Sequence, residues 1–280
     1  MMSRKSFVRE RTVSAGPLKA VSIYTRTFEQ ESKCKEPRGR KKTVSRISQE
    51  NWNTNKSRKN AELLLHANFV QGDYYATLTY NHEFLPKDLD QAAKDQRSMI
   101  GKLKRLYKNA GAELKYMWFT SYQIDKDGQY MKRIHHHLVI NKLPKDSGFT
   151  RDDVENCWSV GGGKNAKSRG IVETKRIQGG SNGLKKIAIY LTGQEKWINR
   201  QWAKGKKRWS SSQNLKKPTE TTNDSWWSQR KLSNVIKENN QGQDIFSSRF
   251  PGYYIIGEPQ IREIEESGWH IYVEMLKVEP

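Results

Sequence analysis

Apolar positions in the middle of the chain recur with two periods, and the switch between them marks out elements. From about Asn53 to His66, Ala61, Leu64 and Leu65 gather on one side of a helical turn, which predicts a helix. Tyr74-Tyr75-Ala76-Thr77-Leu78-Thr79-Tyr80 is rich in β-formers and predicts a strand. Pro86 introduces a helix from about Asp88 to Lys108, where Leu89, Ala92, Ala93, Met99, Ile100, Leu103 and Leu106 recur three and four apart. A strand follows from about Tyr116 to Ile124. Asp127-Gly128 marks a turn, and Ile134 to Ile140 is a second strand, so the two form an antiparallel hairpin. Asp152 to Trp158 reads as a short helix, Gly161 to Gly163 as a loop and Ile171 to Ile177 as a strand. The glycine-rich run Gly179 to Gly183 leads into a helix from about Leu184 to Trp202, with Ser181 or Asn182 as N-cap. Two closing strands are expected at Gly252 to Gly257 and Trp269 to Val278. Residues 203 to 245 are polar and show no clear period, and there is no internal repeat. The order of elements is that of an α+β protein with a central antiparallel sheet flanked by helices.

The expected organisation is a basic, loosely structured N-terminal segment over residues 1–60, a main domain over 61–218, and a C-terminal extension over 219–280. The 280 residues suffice for a sizeable core. Lys and Arg number 51 against 30 Asp and Glu, a formal charge of +21, which points to a polyanionic partner. Most of that excess lies in two stretches. Residues 1–68 hold 16 basic and 6 acidic side chains, and residues 185–217 hold 10 and 1. In the second stretch Trp197, Trp202 and Trp209 are interleaved with the cations, as suits single-stranded bases that stack on aromatic rings. Lys185, Lys186, Lys196, Trp197, Trp202, Lys206, Lys207 and Arg208 are therefore candidate DNA contacts. No apolar run approaches the ~18 residues of a spanning helix, and Met1 to Arg11 lacks the apolar stretch of a signal peptide. The expectation is a cytoplasmic protein without a membrane partner. Cys34 and Cys157 form no CxxC motif, so neither a disulfide framework nor a cysteine zinc site is indicated.

The richest chemistry sits in Ile134-His135-His136-His137-Leu138-Val139-Ile140. Alternation on a strand places His135 and His137 on one face and His136 on the other. Two imidazoles on one face make half of a divalent-metal site.

The strand with Thr77-Leu78-Thr79-Tyr80, the His135-x-His137 strand and a later helix carrying Tyr190-Leu191-Thr192 occur in that order. Together they resemble the HUH endonucleases, and within these the rolling-circle replication initiators of phages and plasmids. Ser212-x-Asn214-Leu215-x-x-Pro218 adds to the likeness, which covers roughly residues 60 to 220. The resemblance implies an antiparallel sheet with His135 and His137 as metal ligands on a central strand, Mg²⁺ or Mn²⁺ as cofactor, and Tyr190 as nucleophile on a nearby helix. It implies attack of that tyrosine on one strand of DNA at a replication origin, giving a 5′-phosphotyrosyl link and a 3′-hydroxyl primer. It also implies that Thr77 and Thr79 contribute to the DNA surface. Tyrosine is a weak nucleophile at its ordinary pKa of about 10 and needs activation. A metal that polarises the phosphate oxygens would supply it.

The sequence departs from the family twice. A lysine often follows the tyrosine by three residues, but Gly193 stands there, and Lys185, Lys186 or Lys196 is left to supply the charge. An acidic third ligand often lies on the strand before the histidines, but that strand reads Thr120-Ser121-Tyr122-Gln123. Gln123 is the candidate third ligand, through its carbonyl oxygen, with Asp125 as fallback. The substrate expected is single-stranded or locally melted DNA. No GxxxxGK[ST] motif occurs, so a host helicase would separate the strands and a host polymerase would extend the primer. Rival readings are a relaxase or single-strand transposase with the same chemistry, or a non-catalytic nucleic-acid-binding regulator with a degenerate site.

Overall fold

The computed structural model describes residues 6–35, 47–124, 130–192, 208–237, 242–264 and 268–278. In chain order these form strands β1 (Ser6–Ala15) and β2 (Leu18–Thr27), helices α1 (Phe28–Lys35) and α2 (Ile47–Asn68), strand β3 (Tyr74–Leu78), helix α3 (Leu89–Asn109), strands β4 (Tyr116–Ile124) and β5 (Tyr130–Ile140) and helix α4 (Arg151–Asn156). Short strands β6 (Ser159–Val160) and β7 (Lys167–Ser168) precede β8 (Val172–Arg176) and helix α5 (Gly180–Thr192). Then come β9 (Trp209–Ser211), β10 (Thr219–Asn223), α6 (Gln229–Lys237), α7 (Gln243–Arg249), β11 (Tyr253–Ile255), β12 (Gln260–Ile264) and β13 (Gly268–Lys277). The protein is α+β. Its chain divides into two units, residues 50–216 and residues 1–49 with 217–280.

In the 50–216 unit a five-stranded antiparallel sheet has the order β8-β3-β5-β4-β9, which puts β5 at its centre. Both faces are covered, so its strands carry apolar side chains at successive positions. One face presents Tyr74, Ala76, Leu78, Trp118, Leu138 and Ile140 to Met99, Leu103 and Tyr107 of α3 and to Val154 and Trp158. The other presents Met117, Phe119 and Val139 to Ala61 and Leu65 of α2 and to Leu184, Ala188 and Leu191 of α5. Asp88 caps α3 by accepting a hydrogen bond from the Gln91 amide at 2.7 Å.

The run Gly179 to Gly183 sets where α5 begins. Gly179 and Gly180 have φ of 77° and 54°, the left-handed region that glycine occupies without strain. A Cβ at Gly183 would lie 1.6 Å from the Gln178 carbonyl oxygen, so only a glycine lets the first turn of α5 sit against the preceding backbone. The helix expected to run to Trp202 is described as far as Thr192.

The unit of residues 1–49 with 217–280 corrects the expected organisation. In place of a loose N-terminal segment and a separate C-terminal extension, β1 and β2 form a hairpin that joins strands from the other end of the chain. The sheet order is β10-β1-β2-β13-β11, with β12 also paired to β13. Val8, Val21, Ile23, Ile271, Val273 and Met275 pack on Trp227, Leu232, Val235 and Phe246. The period was hidden because two inward positions of β1 are polar. Glu10 and Thr12 are buried, and Glu10 accepts hydrogen bonds from Arg249 at 2.9 Å and from the Trp227 indole at 2.8 Å. A buried carboxylate is tolerated when it is paired in this way. Among the described residues no helix is long and apolar enough to cross a membrane.

Candidate active site

The histidine triplet lies where β5 is paired on both sides. His137 stands opposite Thr77 of β3 and Phe119 of β4, His136 opposite Leu78 and Thr120, and His135 opposite Ser121. Cross-strand partners share a face, so His135 and His137 project toward the α2/α5 side and His136 toward the α3/α4 side.

His136 is fully buried and fully engaged. Its Nδ1 accepts from the Trp118 indole N–H at 3.0 Å, with the Thr120 hydroxyl 3.1 Å away. That makes Nε2 the protonated nitrogen, and Nε2–H donates to the Tyr80 hydroxyl at 2.9 Å. Burial, helped by the neighbouring His135 and His137, pushes its pKa down to about 3, so the ring stays neutral. Tyr80 links this residue onward to Asp95, and Asp95 pairs with Arg169 at 2.7 Å. Beneath the strand, then, lies a closed polar network.

On the opposite face His137 is buried at 6% exposure, and the face opens only at its edge, where His135 is half-buried and Tyr190 exposed. The His135 and His137 rings lie 5.1 Å apart between centroids. Each is held through Nδ1. That of His135 donates to the Arg133 carbonyl at 3.2 Å, and that of His137 lies 2.9 Å from the Tyr75 hydroxyl and 3.3 Å from the Thr77 hydroxyl. Fixing Nδ1 of a histidine in this way is how proteins orient the ring for ligation through Nε2.

Tyr190 comes to the same place from α5. Leu184, Ala188 and Leu191 bury one side of the helix, and Tyr190 lies on its flank, 65% exposed. Its ring meets His137 edge-on, with centroids 5.4 Å apart and planes at 77°. It also meets the half-buried Tyr75 edge-on at 6.4 Å. Burial pushes the Tyr75 hydroxyl well above the usual tyrosine range, while the Thr77 hydroxyl lowers it and Tyr190 raises it.

Three of the candidate residues, His135, His137 and Tyr190, are thus brought together, and Thr77 lies with them. The other candidates separate from them in various ways. The Thr79 hydroxyl donates to the Ile171 carbonyl at 3.0 Å. Lys185 reaches Glu62 of α2 at 3.4 Å, whereas Lys186 is exposed. Arg208 is half-buried just before β9, where its carbonyl accepts from the Thr120 amide of β4, and burial lowers its pKa. Trp209 packs into the core on β9 and donates to Ser57 at 3.1 Å, so it is no open stacking platform. Lys196, Trp197, Trp202, Lys206, Lys207 and also Gly193 lie outside the described residues, as does Asp125. Gln123 is opposite Lys132, but the ladder shifts register between Ser121 and Gln123, so simple alternation no longer relates Gln123 to the histidine face. Its side chain lies outside the described set.

Two same-face imidazoles with oriented rings fit a divalent cation as a partial ligand set, with water or phosphate oxygens to complete it. Among the described residues, no group of three or more His, Cys, Asp or Glu side chains is placed to hold a metal. A neutral nitrogen pair suits Mn²⁺ better than Mg²⁺, which prefers carboxylate and phosphate oxygens. The residue that the sequence reading missed is Tyr75. The alternation that placed Thr77 and Thr79 on one face places Tyr75 there too, and the pairing of β3 with β5 brings that face to His137.

Residues 73–177 match a family model of replication-associated proteins of the ORF2 type. Over those residues the chain is similar to replication-associated proteins, which supports a rolling-circle Rep-type reading. The matched segment runs from the residue before β3 to the residue after β8 and so contains the whole histidine strand. It stops short of α5, so Tyr190 is joined to the Rep-type segment by the geometry alone. No curated protein and no solved structure matches the chain.

Proposed function

We propose that the protein initiates rolling-circle replication by nicking one strand of DNA at an origin, with Tyr190 as nucleophile. The observation that carries this reading is the exposed Tyr190 ring resting against His137, beside His135, on the central strand of a Rep-type segment. In the reaction the Tyr190 oxygen bonds to the phosphorus of a scissile phosphodiester. The bond from phosphorus to the 3′-oxygen breaks, and the phenolic proton leaves to solvent or to a neighbouring base. The products are a 5′-phosphotyrosyl DNA and a 3′-hydroxyl that a polymerase extends. His135 and His137 would hold Mg²⁺ or Mn²⁺ through Nε2, and the metal when bound would neutralise charge developing on the phosphate oxygens. A phenolate leaves more readily than an aliphatic alkoxide, so the link can be reversed and the strand rejoined. Single-stranded or melted origin DNA is the substrate in this reading, and a host helicase supplies the melting.

The test is incubation with end-labelled single-stranded DNA from the replication region of the element that encodes the protein, with Mn²⁺, resolved on a denaturing gel. A labelled protein band that disappears with EDTA and with Tyr190→Phe is expected. An adduct that survives Tyr190→Phe moves the nucleophile elsewhere. A relaxase or single-strand transposase would give the same adduct and differ only in its preferred DNA. Salt-sensitive binding without an adduct would favour a binding regulator, a reading that Gly193 and the uncharged residues 121–123 support.

A further inference from the structure

Among the described residues, Tyr75 touches both halves of the site. Its hydroxyl lies 2.9 Å from Nδ1 of His137, its ring stacks on that imidazole at 5.9 Å and 13°, and Tyr190 meets the same ring edge-on. The donors can be assigned around it. The Thr77 hydroxyl donates to the Tyr75 oxygen at 3.4 Å. A His137 that ligates or contacts phosphate through Nε2 carries its proton on Nδ1 and donates it to the same oxygen. The Tyr75 proton is then directed elsewhere, and on that side stands the Tyr190 ring, edge-on to Tyr75 at 6.4 Å and 85°.

We propose that Tyr75 is a positioning residue that holds His137 as the Nδ1–H tautomer and hydrogen-bonds the Tyr190 hydroxyl beside the histidine pair. The role answers a mechanical need. Tyr190 projects from the flank of α5 into solvent, and a nucleophile reacts efficiently only when its oxygen is held within about 3–3.5 Å of the phosphorus in line with the leaving group. A hydrogen bond donated by Tyr75 restricts the Tyr190 ring and favours its oxygen as an acceptor of charge. The inference rests on the nicking reading above for its catalytic consequence, but the tautomer can be read without DNA.

The experiment compares wild type, Tyr75→Phe and Thr77→Val. Phenylalanine keeps the ring stacked on His137 and removes only the hydroxyl. Imidazole ¹⁵N shifts should report the Nδ1–H form of His137 in wild type and a shift toward the Nε2–H form in Tyr75→Phe. The rate of adduct formation at saturating DNA should fall about 10- to 100-fold in Tyr75→Phe, and the Mn²⁺ needed for half-maximal rate should rise by a similar factor, as for other partners of metal-bound histidines. The DNA dissociation constant should stay within about twofold. Thr77→Val should lie between the two. Wild-type rate, Mn²⁺ requirement and tautomer in Tyr75→Phe would overturn the inference and leave the nuclease reading standing. No adduct from wild type with any origin strand would overturn the nuclease reading and the catalytic consequence drawn here, while the His137 tautomer in wild type and Tyr75→Phe would still decide the positioning role.

Discussion

His136 and His137 are adjacent in the chain and differ in almost everything that matters to chemistry. His136 faces a closed layer in which Tyr80, Trp118 and Thr120 take up both ring nitrogens, and burial keeps it neutral. His137 and its companion His135 face a layer that opens at its edge, where an exposed tyrosine arrives from α5. The same side chain is a structural strut on one side of the sheet and a candidate ligand on the other. What separates the two roles is the surface each faces. A polar group enclosed by fixed donors and acceptors has no capacity left for a substrate.

The sharpest way to break this comparison is Tyr190→Phe, which should reduce the covalent adduct below detection while DNA affinity and thermal stability hold. The histidines come next. His135→Ala and His137→Ala should each slow metal-dependent cleavage on the order of 10²-fold or more, with the main loss in activity rather than in folding. His136→Ala should do the reverse. It leaves Tyr80 and Trp118 without their partner and opens a cavity, so denaturant unfolding should show a loss of about 2–4 kcal/mol. Equal behaviour of all three alanine variants would erase the distinction between the faces.

Gly183→Ala probes the seat of Tyr190. The new methyl group must displace the Gln178 carbonyl or α5 itself, and about 1–3 kcal/mol of stability should be lost. If the helix moves, adduct formation slows as well. A variant with normal stability and normal rate would show that the tight start of α5 is dispensable.

The smallest effect is a pH dependence. His136 has a folded pKa lowered from 6.5 to about 3, so the unfolded chain binds the proton more readily. Its contribution to stability is fully present above about pH 6.5 and declines as pH falls from there toward 3. Unfolding curves taken across that window should show this slope in wild type and lose part of it in His136→Phe. A slope unchanged by the substitution would assign the acid sensitivity to other groups.

Much of the 50–216 unit can be read directly from the chain. β3, α3 and the β4–β5 hairpin announce themselves by period, because each buries a stripe set by its own local geometry. The N- and C-terminal unit does not. Its hairpin has polar residues at Glu10 and Thr12 on the inward side, and these are acceptable there only because Arg249 and Trp227, far along the chain, come to meet Glu10. The basic candidates show a similar limit. Composition marked Lys185 and Arg208 as DNA contacts, but Lys185 reaches Glu62 and Arg208 is half-buried, neither of which a local pattern can express.

By itself the sequence determined the alternation of the three histidines, the helix that carries Tyr190 and the resemblance of the ordered motifs to Rep proteins. These follow from short-range rules, since a strand turns successive side chains to opposite faces whatever surrounds it. Tertiary structure alone decided which face is sealed and which is open, that Tyr190 rests on His137, and that Tyr75 stands between them. Those facts depend on the pairing of β3 with β5 and on the packing of α5 across the sheet, contacts between residues more than 50 positions apart in the chain.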